Sequence, residues 1–138
     1  MILEADKGVC TENPENTMPA YLAAVDQGYG MIEIYVGVTR DMQFAVLKDD
    51  TINRTARNKD GSELTEKIAL QDITWAEVLK YDFGIWFSRK FKGTRIPLLQ
   101  DILKLAEEKG IRLQIDKKYQ QFSEEQKQNF FALLRPYE

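Results

Sequence analysis

No histidine occurs among the 138 residues, so the commonest proton-exchanging side chain near neutral pH is missing. A single cysteine, Cys10, excludes an intramolecular disulfide and a cysteine metal cluster. No apolar run approaches the ~20 residues of a membrane-spanning helix, and no signal peptide precedes the first expected strand. The chain therefore reads as soluble, cytoplasmic by default and without a membrane span. It also lacks an internal repeat, a low-complexity tract and a Gly/Ser linker. A dominant charge is missing too: 19 Lys and Arg against 22 Asp and Glu leave a formal −3, which gives no reason to expect a nucleic-acid partner. The local clusters Arg54, Arg57, Lys59 and Arg89, Lys90, Lys92, Arg95 read as solvated loops. What is present, 43% hydrophobic and 30% charged residues, suits one globular domain over residues 1–138.

Periodicity predicts alternating strands and helices. "MILEA" is a strand ended by Asp6, Lys7 and Gly8. A helix follows "PENT", capped by Asn16 or Thr17, with Pro19 in its first turn, Tyr21, Leu22 and Val25 on its apolar face and Gly28 as its stop. "MIEIYVGV" is the clearest strand, Ile32, Ile34 and Val36 on one face, Glu33 and Tyr35 on the other. "FAVL" is a further strand after the tight "TRDMQ" link, and "TWAEVLKY" a short helix capped by Thr74. "PLLQDILKLAEEKG" carries apolar residues at helical spacing, "IRLQID" is a fourth strand, and "SEEQKQNFFALLRPYE" a helix with a Ser123–Gln126 capping box. Strand–helix–strand order predicts parallel pairing with helices on one face. Polar residues then gather at strand C-terminal ends, where ligand sites of α/β barrels and open sheets lie.

A carboxylate such as Glu33, flanked by Ile32 and Ile34, needs a cation, a metal or a proton if it is buried. Alternation puts Gln114, Asp116 and Lys118 on one face of their strand. Two readings stand at this point: salt bridges near a sheet edge, or two carboxylates holding a divalent ion.

The order of the motifs resembles the glycerophosphodiester phosphodiesterase family over about residues 2 to 118. That family reads "AHRG…PENT…E-x-D-V…V-x-H-D…R-T…W-F…F-x-G…I-P-x-L…E-x-K". Here stand "ADKG" at 5–8, "PENT" at 14–17, "EIYVGVTRDM" at 33–42 and "VLKDD" at 46–50. "INRTA" follows at 52–56, then "GIWFSRKFKGTRIPLL" at 84–99 and "QIDKK" at 114–118. The resemblance implies a partial, roughly half, TIM-type (β/α) barrel with mainly parallel strands. It implies a calcium- or magnesium-type ion on oxygen ligands, with two histidines as acid and base, hydrolysing glycerophosphodiesters.

The implied centre is altered. Asp6 and Lys48 occupy the two histidine positions, and Lys7 replaces the phosphate-binding arginine. Glu33 matches a metal carboxylate, Tyr35 replaces its same-face neighbour, and Asp116 stands for a glutamate. Lys118 matches the lysine near the phosphate, and Glu15, Asn16, Asp49, Arg54, Trp86 and Phe87 match the framework. An ionised Asp6 and a charged Lys48 are poorly placed for proton exchange at neutral pH, and a neutral phenol is a poor ligand for a hard cation.

The expectation is a domain without hydrolase activity, acting as a binding or assembly module. It keeps weak phosphate affinity through Lys7, Arg54 and Lys118, and needs no cofactor. The first alternative is a metal-dependent phosphoric diester hydrolase with Ca or Mg on Glu33 and Asp116; the second is a structural fragment of a larger protein. Lys48 and Lys118 are expected to bring ammonium groups to Glu33, Asp116 and Asp6 in place of the metal. Tyr35, Trp86 and Phe87 are expected to fill space. A full barrel needs about 250 residues, so this shorter chain is expected to leave two strand edges and apolar inner surface open. A homo-oligomer or larger assembly would cover them.

Overall fold

The structure, a computed structural model, describes residues 2–137. Met1 of the first expected strand and Glu138 of the last expected helix lie outside the described residues. Strand β1 (Glu4–Asp6) is followed by helix α1 (Met18–Asp26), strand β2 (Met31–Ile34) and a hairpin of β3 (Val36–Val38) with β4 (Phe44–Val46). Helix α2 (Trp75–Val78) lies in the segment that follows, and α3 (Leu99–Lys109), β5 (Arg112–Ile115) and α4 (Glu124–Leu134) complete the order. Strand β2 lies between β1 and β5 and is parallel to both. The architecture is a partial α/β barrel.

Alternation along β2 sorts the residues. Ile32 and Ile34 are fully buried and pack with Ala5 of β1, Tyr21 and Ala24 of α1, Leu99, Ile102 and Leu103 of α3 and Phe130 of α4. The opposite face carries Glu4, Asp6, Met31, Glu33, Arg112 and Gln114, with Met31 and Glu33 half-buried and the other four exposed. The expected apolar inner surface is therefore not there. The same period that buries isoleucine on the helix side puts charged and amide side chains on the open side. The two open edges are as expected: among the described residues β1 and β5 each pair with β2 alone.

One expected strand is revised. "MIEIYVGV" is not one strand, because the chain changes partner at Tyr35, whose carbonyl accepts the Leu47 N–H at 2.9 Å. The strand expected at "FAVL" forms over Phe44–Val46. Phe44–Val46 pairs antiparallel with Val36–Val38, because the 39–43 link is too short for a parallel crossover. On α1, Leu22 faces solvent rather than the core; Ala20, Tyr21 and Ala24 are buried. The capping boxes at Thr74 and at Ser123 form as expected.

Between β4 and α3 the chain builds a second core from Leu47, Ile52, Leu70, Val78, Phe83 and Ile96. Buried Asp82 organises its last loop. Oδ1 accepts the N–H groups of Gly84 and Ile85 at 2.8 Å each, and Oδ2 accepts Gly93 N–H at 2.6 Å. A Cβ on Gly84 would lie 2.0 Å from the Phe91 carbonyl oxygen, so only glycine permits that crossing. Trp86 and Phe87 pack here: Trp86 Nε1 donates to the Phe83 carbonyl at 3.1 Å, and the two rings meet edge to face at 5.7 Å. Asp82→Ala strands three N–H donors, two of them in a buried or half-buried turn. It should lower unfolding free energy in urea by about 2–4 kcal/mol.

Candidate active site

The parallel register brings the C-terminal ends of the three strands together. Asp6 aligns with Glu33, and Glu33 with Gln114. Beside them a cleft of about 730 Å³ is lined by Tyr35, Lys48, Asp49, Asp116 and Lys118 among others. Residues taken from four separate segments of the sequence thus share one place.

The loop after β1 is built by backbone geometry. Lys7 has φ +60° and Gly8 φ +84°. A Cβ on Gly8 would approach the Ala20 carbonyl carbon to 2.7 Å, so glycine lets the loop lie against α1. The Asn16 N–H donates to the Lys7 carbonyl at 3.0 Å, and Asn16 Oδ1 accepts the Tyr21 hydroxyl at 2.8 Å. Burial, then the charges of Glu15 and Asp6, push the Tyr21 phenol well above its ordinary value. "PENT" therefore holds the entrance of the site to its first helix.

Three cations are already engaged. Arg54 makes a two-pronged contact with Glu15, 2.8 Å in each prong, and also reaches Asp49 at 2.7 Å. Burial raises the Glu15 carboxyl, but the Arg54 contact outweighs it and the net shift is downward. Asp49 is lowered by the same guanidinium against the opposing effect of burial. Lys7 Nζ lies 3.9 Å from Glu15. Lys118 Nζ donates to the carbonyls of Leu47, Lys48 and Asp49 at 3.1, 2.9 and 3.1 Å, with Asp50 Oδ1 at 3.7 Å. An ammonium has three N–H donors, and the loop carbonyls match that number. Burial lowers the Lys118 ammonium against the pull of Asp50 and Asp49.

Lys48 and Lys118 do not stand in for a metal among the strand-end acids. Strand β5 ends at Ile115, and a 3-10 turn over Lys117–Gln121 follows, with Asp116 Oδ1 accepting the Lys118 N–H at 3.0 Å. That turn ends the period-two alternation, so Lys118 leaves the face of Gln114. Lys48 Nζ lies 5.7 Å over the Tyr35 ring, a cation–π arrangement. Among the described residues no Lys or Arg nitrogen comes within 4.0 Å of a carboxylate of Asp6, Glu33 or Asp116.

The acids at the strand ends consequently repel one another. Burial, then Glu4, Asp6 and Asp116, raise the Glu33 carboxyl. Tyr35 does more than fill space: its hydroxyl donates to Asp6 Oδ1 at 3.0 Å, linking β1 to the end of β2. Burial and Asp6 hold its phenol well above the usual range. A calcium ion takes about six to eight oxygen ligands from carboxylates, carbonyls and water, and a magnesium ion about six, often with only one or two carboxylates. Here Tyr35 is protonated and committed to Asp6, and therefore adds no anionic oxygen to the carboxylates of Glu33 and Asp116. Among the described residues no three His, Cys, Asp or Glu side chains converge as a metal-holding group. Two participants were missed by sequence reasoning: Asp50, next to the matched Asp49, and Glu4, which the alternation through Asp6 places on the same face.

Two measurements check this electrostatic layout. Glu15 and Asp49 have lowered folded values, so their contribution is present at neutral pH and is lost on acidification below about 4.5. Glu33 has a raised value and acts oppositely, relieving repulsion as it protonates. Urea stability from about pH 6 to 3 should fall in the wild type, and Arg54→Met should flatten that slope. In absorbance titration, two of the six tyrosines, Tyr21 and Tyr35, should stay protonated above about pH 11, where a free phenol near 10 is mostly ionised.

Comparison with known proteins agrees with this framework. The profile of the Glycerophosphoryl diester phosphodiesterase family matches residues 7–134. A glycerophosphodiester phosphodiesterase of Caldanaerobacter subterraneus subsp. tengcongensis is 35% identical over 112 residues, covering 81% of this chain and 43% of that one. One from Bacillus altitudinis is 31% identical over 106 residues, covering 77% and 40%. The chain thus spans less than half the length of these curated relatives. Among solved structures, an Oleispira antarctica phosphodiesterase in complex with the product sn-glycerol-3-phosphate superposes with a TM-score of 0.78 at 22% identity. That match covers 98% of this chain and 52% of that one. The ordered motifs, the partial barrel and the profile coincide, and the chain belongs to the glycerophosphoryl diester phosphodiesterase family.

Proposed function

We propose that the chain is a non-hydrolytic member of its family, a binding and assembly module with weak affinity for phosphate groups. One observation carries the reading: the positions matched to the family's acid and base are held by other side chains. Tyr35 donates to Asp6 and lies under the ammonium of Lys48. A carboxyl and an amine side chain thus stand where the family has two imidazoles, the side chain best suited to proton exchange near neutral pH. Weak rather than strong phosphate affinity follows from the prior engagement of Lys7, Arg54 and Lys118. An incoming phosphate has to compete with Glu15, Asp49 and three carbonyls. Exposed Lys48 and Lys117, which line the cleft and have no ion-pair partner within 4.0 Å among the described residues, are the cations left to meet it. The open strand edges support self-association as part of the same role. No described helix is long and apolar enough to cross a membrane.

The opposing reading is hydrolysis through an altered metal centre. It is favoured by the concentration of Glu4, Asp6, Glu33 and Asp116, whose charges add to burial in lifting the Glu33 carboxyl. Glycerophosphocholine hydrolysis, measured while calcium and magnesium are titrated, separates the two. The expected result is no metal-dependent turnover and no difference between wild type and Glu33→Ala. Turnover that requires metal and vanishes in Glu33→Ala would overturn the proposal. By calorimetry, inorganic phosphate and glycerol 3-phosphate should bind with Kd of about 1 mM or weaker, and Lys48→Ala should weaken that binding further.

A further inference from the structure

The two basic clusters of the sequence, one around Lys59 and one from Arg89 to Arg95, meet in the structure. Arg57 and Asp82 exchange main-chain hydrogen bonds, the Arg57 N–H donating to the Asp82 carbonyl at 2.8 Å and the Asp82 N–H to the Arg57 carbonyl at 2.9 Å. Asp82 Oδ2 in turn accepts the Gly93 N–H, and the Phe83 N–H donates to the Thr94 carbonyl at 2.9 Å. One buried residue thereby fixes the loop that carries Lys59 beside the loop that carries Lys92 and Arg95. A Cβ on Gly61 would lie 3.8 Å from Arg89 Nη2, so the two loops touch further along as well.

Where they meet lies a small cavity of about 140 Å³, lined by Lys59, Asp82, Lys92, Gly93 and Arg95 among others. It shares no lining residue with the cleft at the strand ends. Lys59, Lys92 and Arg95 are exposed, and none has a carboxylate within 4.0 Å among the described residues. Arg57 is occupied elsewhere: its Nη1 donates to the carbonyls of Asn53, Arg54 and Ala56, and its Nη2 lies 4.0 Å from Glu63. Asp82 is the one carboxylate of the lining, and its two oxygens already accept three main-chain N–H groups. Three cations against one carboxylate leave two positive charges to be balanced, in a chain whose formal charge is −3. Cations gathered around one cavity repel one another unless an anion sits among them.

We propose that this cavity is a phosphoryl-binding site separate from the cleft, built for a doubly charged group of the monoester type. Charge and size select the ligand. A phosphate monoester carries close to two negative charges at neutral pH, which balances Lys59, Lys92 and Arg95 against Asp82, and the cavity has room for one such group. The planar Arg95 guanidinium suits two phosphate oxygens at once, while Lys59 and Lys92 supply point charges. A phosphodiester or a carboxylate, with a single charge, leaves the site half balanced. The same chemistry is presented by a free phosphate monoester and by the monoester headgroup of phosphatidate. Because the two places share no residue, the inference is independent of whether the cleft binds or hydrolyses anything.

Main-chain amide shifts of the full chain, followed by NMR while inorganic phosphate is added at about pH 7.5 and ~20 mM salt, test it. The amides of Lys59, Gly93 and Arg95 should shift with a Kd of about 1 mM, and ~150 mM salt should weaken the binding severalfold. Sulfate, a dianion, should compete, whereas the monoanions dimethyl phosphate and acetate should bind at least about fivefold more weakly. Lys92→Glu with Arg95→Glu, both at exposed positions, should abolish these shifts and spare any at Lys48 and Lys117. Lys48→Ala should leave the Gly93 shift intact. Vesicles of phosphatidylcholine with about 20% phosphatidate separate the two sources. Cosedimentation that the double variant loses assigns the site to the lipid headgroup, and shifts with free phosphate but no cosedimentation assign it to a soluble monoester. No Gly93 shift up to about 20 mM phosphate, together with no phosphatidate-dependent cosedimentation, would overturn the site. Monoanions binding as tightly as dianions, or vesicles of phosphatidylglycerol binding as well as those of phosphatidate, would reduce it to a diffuse basic surface and refute the proposal.

Discussion

The parallel ladder and the site at its strand ends are referred to β2. It is the one strand of the parallel ladder with partners on both sides, so its residue-by-residue alternation is imposed on β1 and β5. A shift of one residue would send Glu33 into the helix layer and Ile32 and Ile34 into solvent. The cost of burying that carboxylate unpaired locks the register, and the register in turn decides which side chains meet at the strand ends. The chain leaves the ladder at Tyr35, immediately after this segment, and the hairpin it enters carries Lys48 and Asp49 back to the same end.

The charges around the cleft divide unevenly. Cations are drawn to the loop side, Arg54 between Glu15 and Asp49, and Lys118 among carbonyls with Asp50 nearby. The strand-end acids are left facing each other, and the opposite shifts of Glu15 and Glu33 express that division. The site is thus a set of fixed ion pairs beside a small acidic patch. Tyr35 links the two regions, donating to Asp6 and carrying Lys48 over its ring. The surviving framework residues keep their places because they also have structural work. Asn16 anchors Tyr21, and Arg54 ties the entrance loop to the segment after the hairpin.

A partial barrel is tolerable here because its open face is hydrophilic. Glu4, Asp6, Arg112 and Gln114 occupy positions that need no apolar cover. What stays unsatisfied is confined to two strand edges and the aliphatic surface next to them, and those differ in charge and shape. The segment between β4 and α3 brings its own core, so the loop carrying Trp86 and Phe87 is packed independently of the ladder.

Much of this was legible from residue order. Alternation in "MIEI", helical spacing in "LLQDILKL", and the caps at Thr74 and Ser123 depend on neighbours within one turn or one pleat. The ordered motifs placed Glu33, Asp49, Arg54 and Asp116 near one site. The direction of Lys118 was not legible, because a 3-10 turn after Ile115 cancels the alternation from which its face was read. The same holds for Tyr35, whose hydroxyl partner comes from a strand 29 positions away. Thus the sequence by itself determined the α/β class, most of the buried faces and the absence of any imidazole from the chain, since these follow from local periodicity and composition. Only the tertiary structure decided which carboxylate each cation satisfies and that the open face is polar. Those outcomes depend on register and on long-range Coulombic choice among several nearby acids.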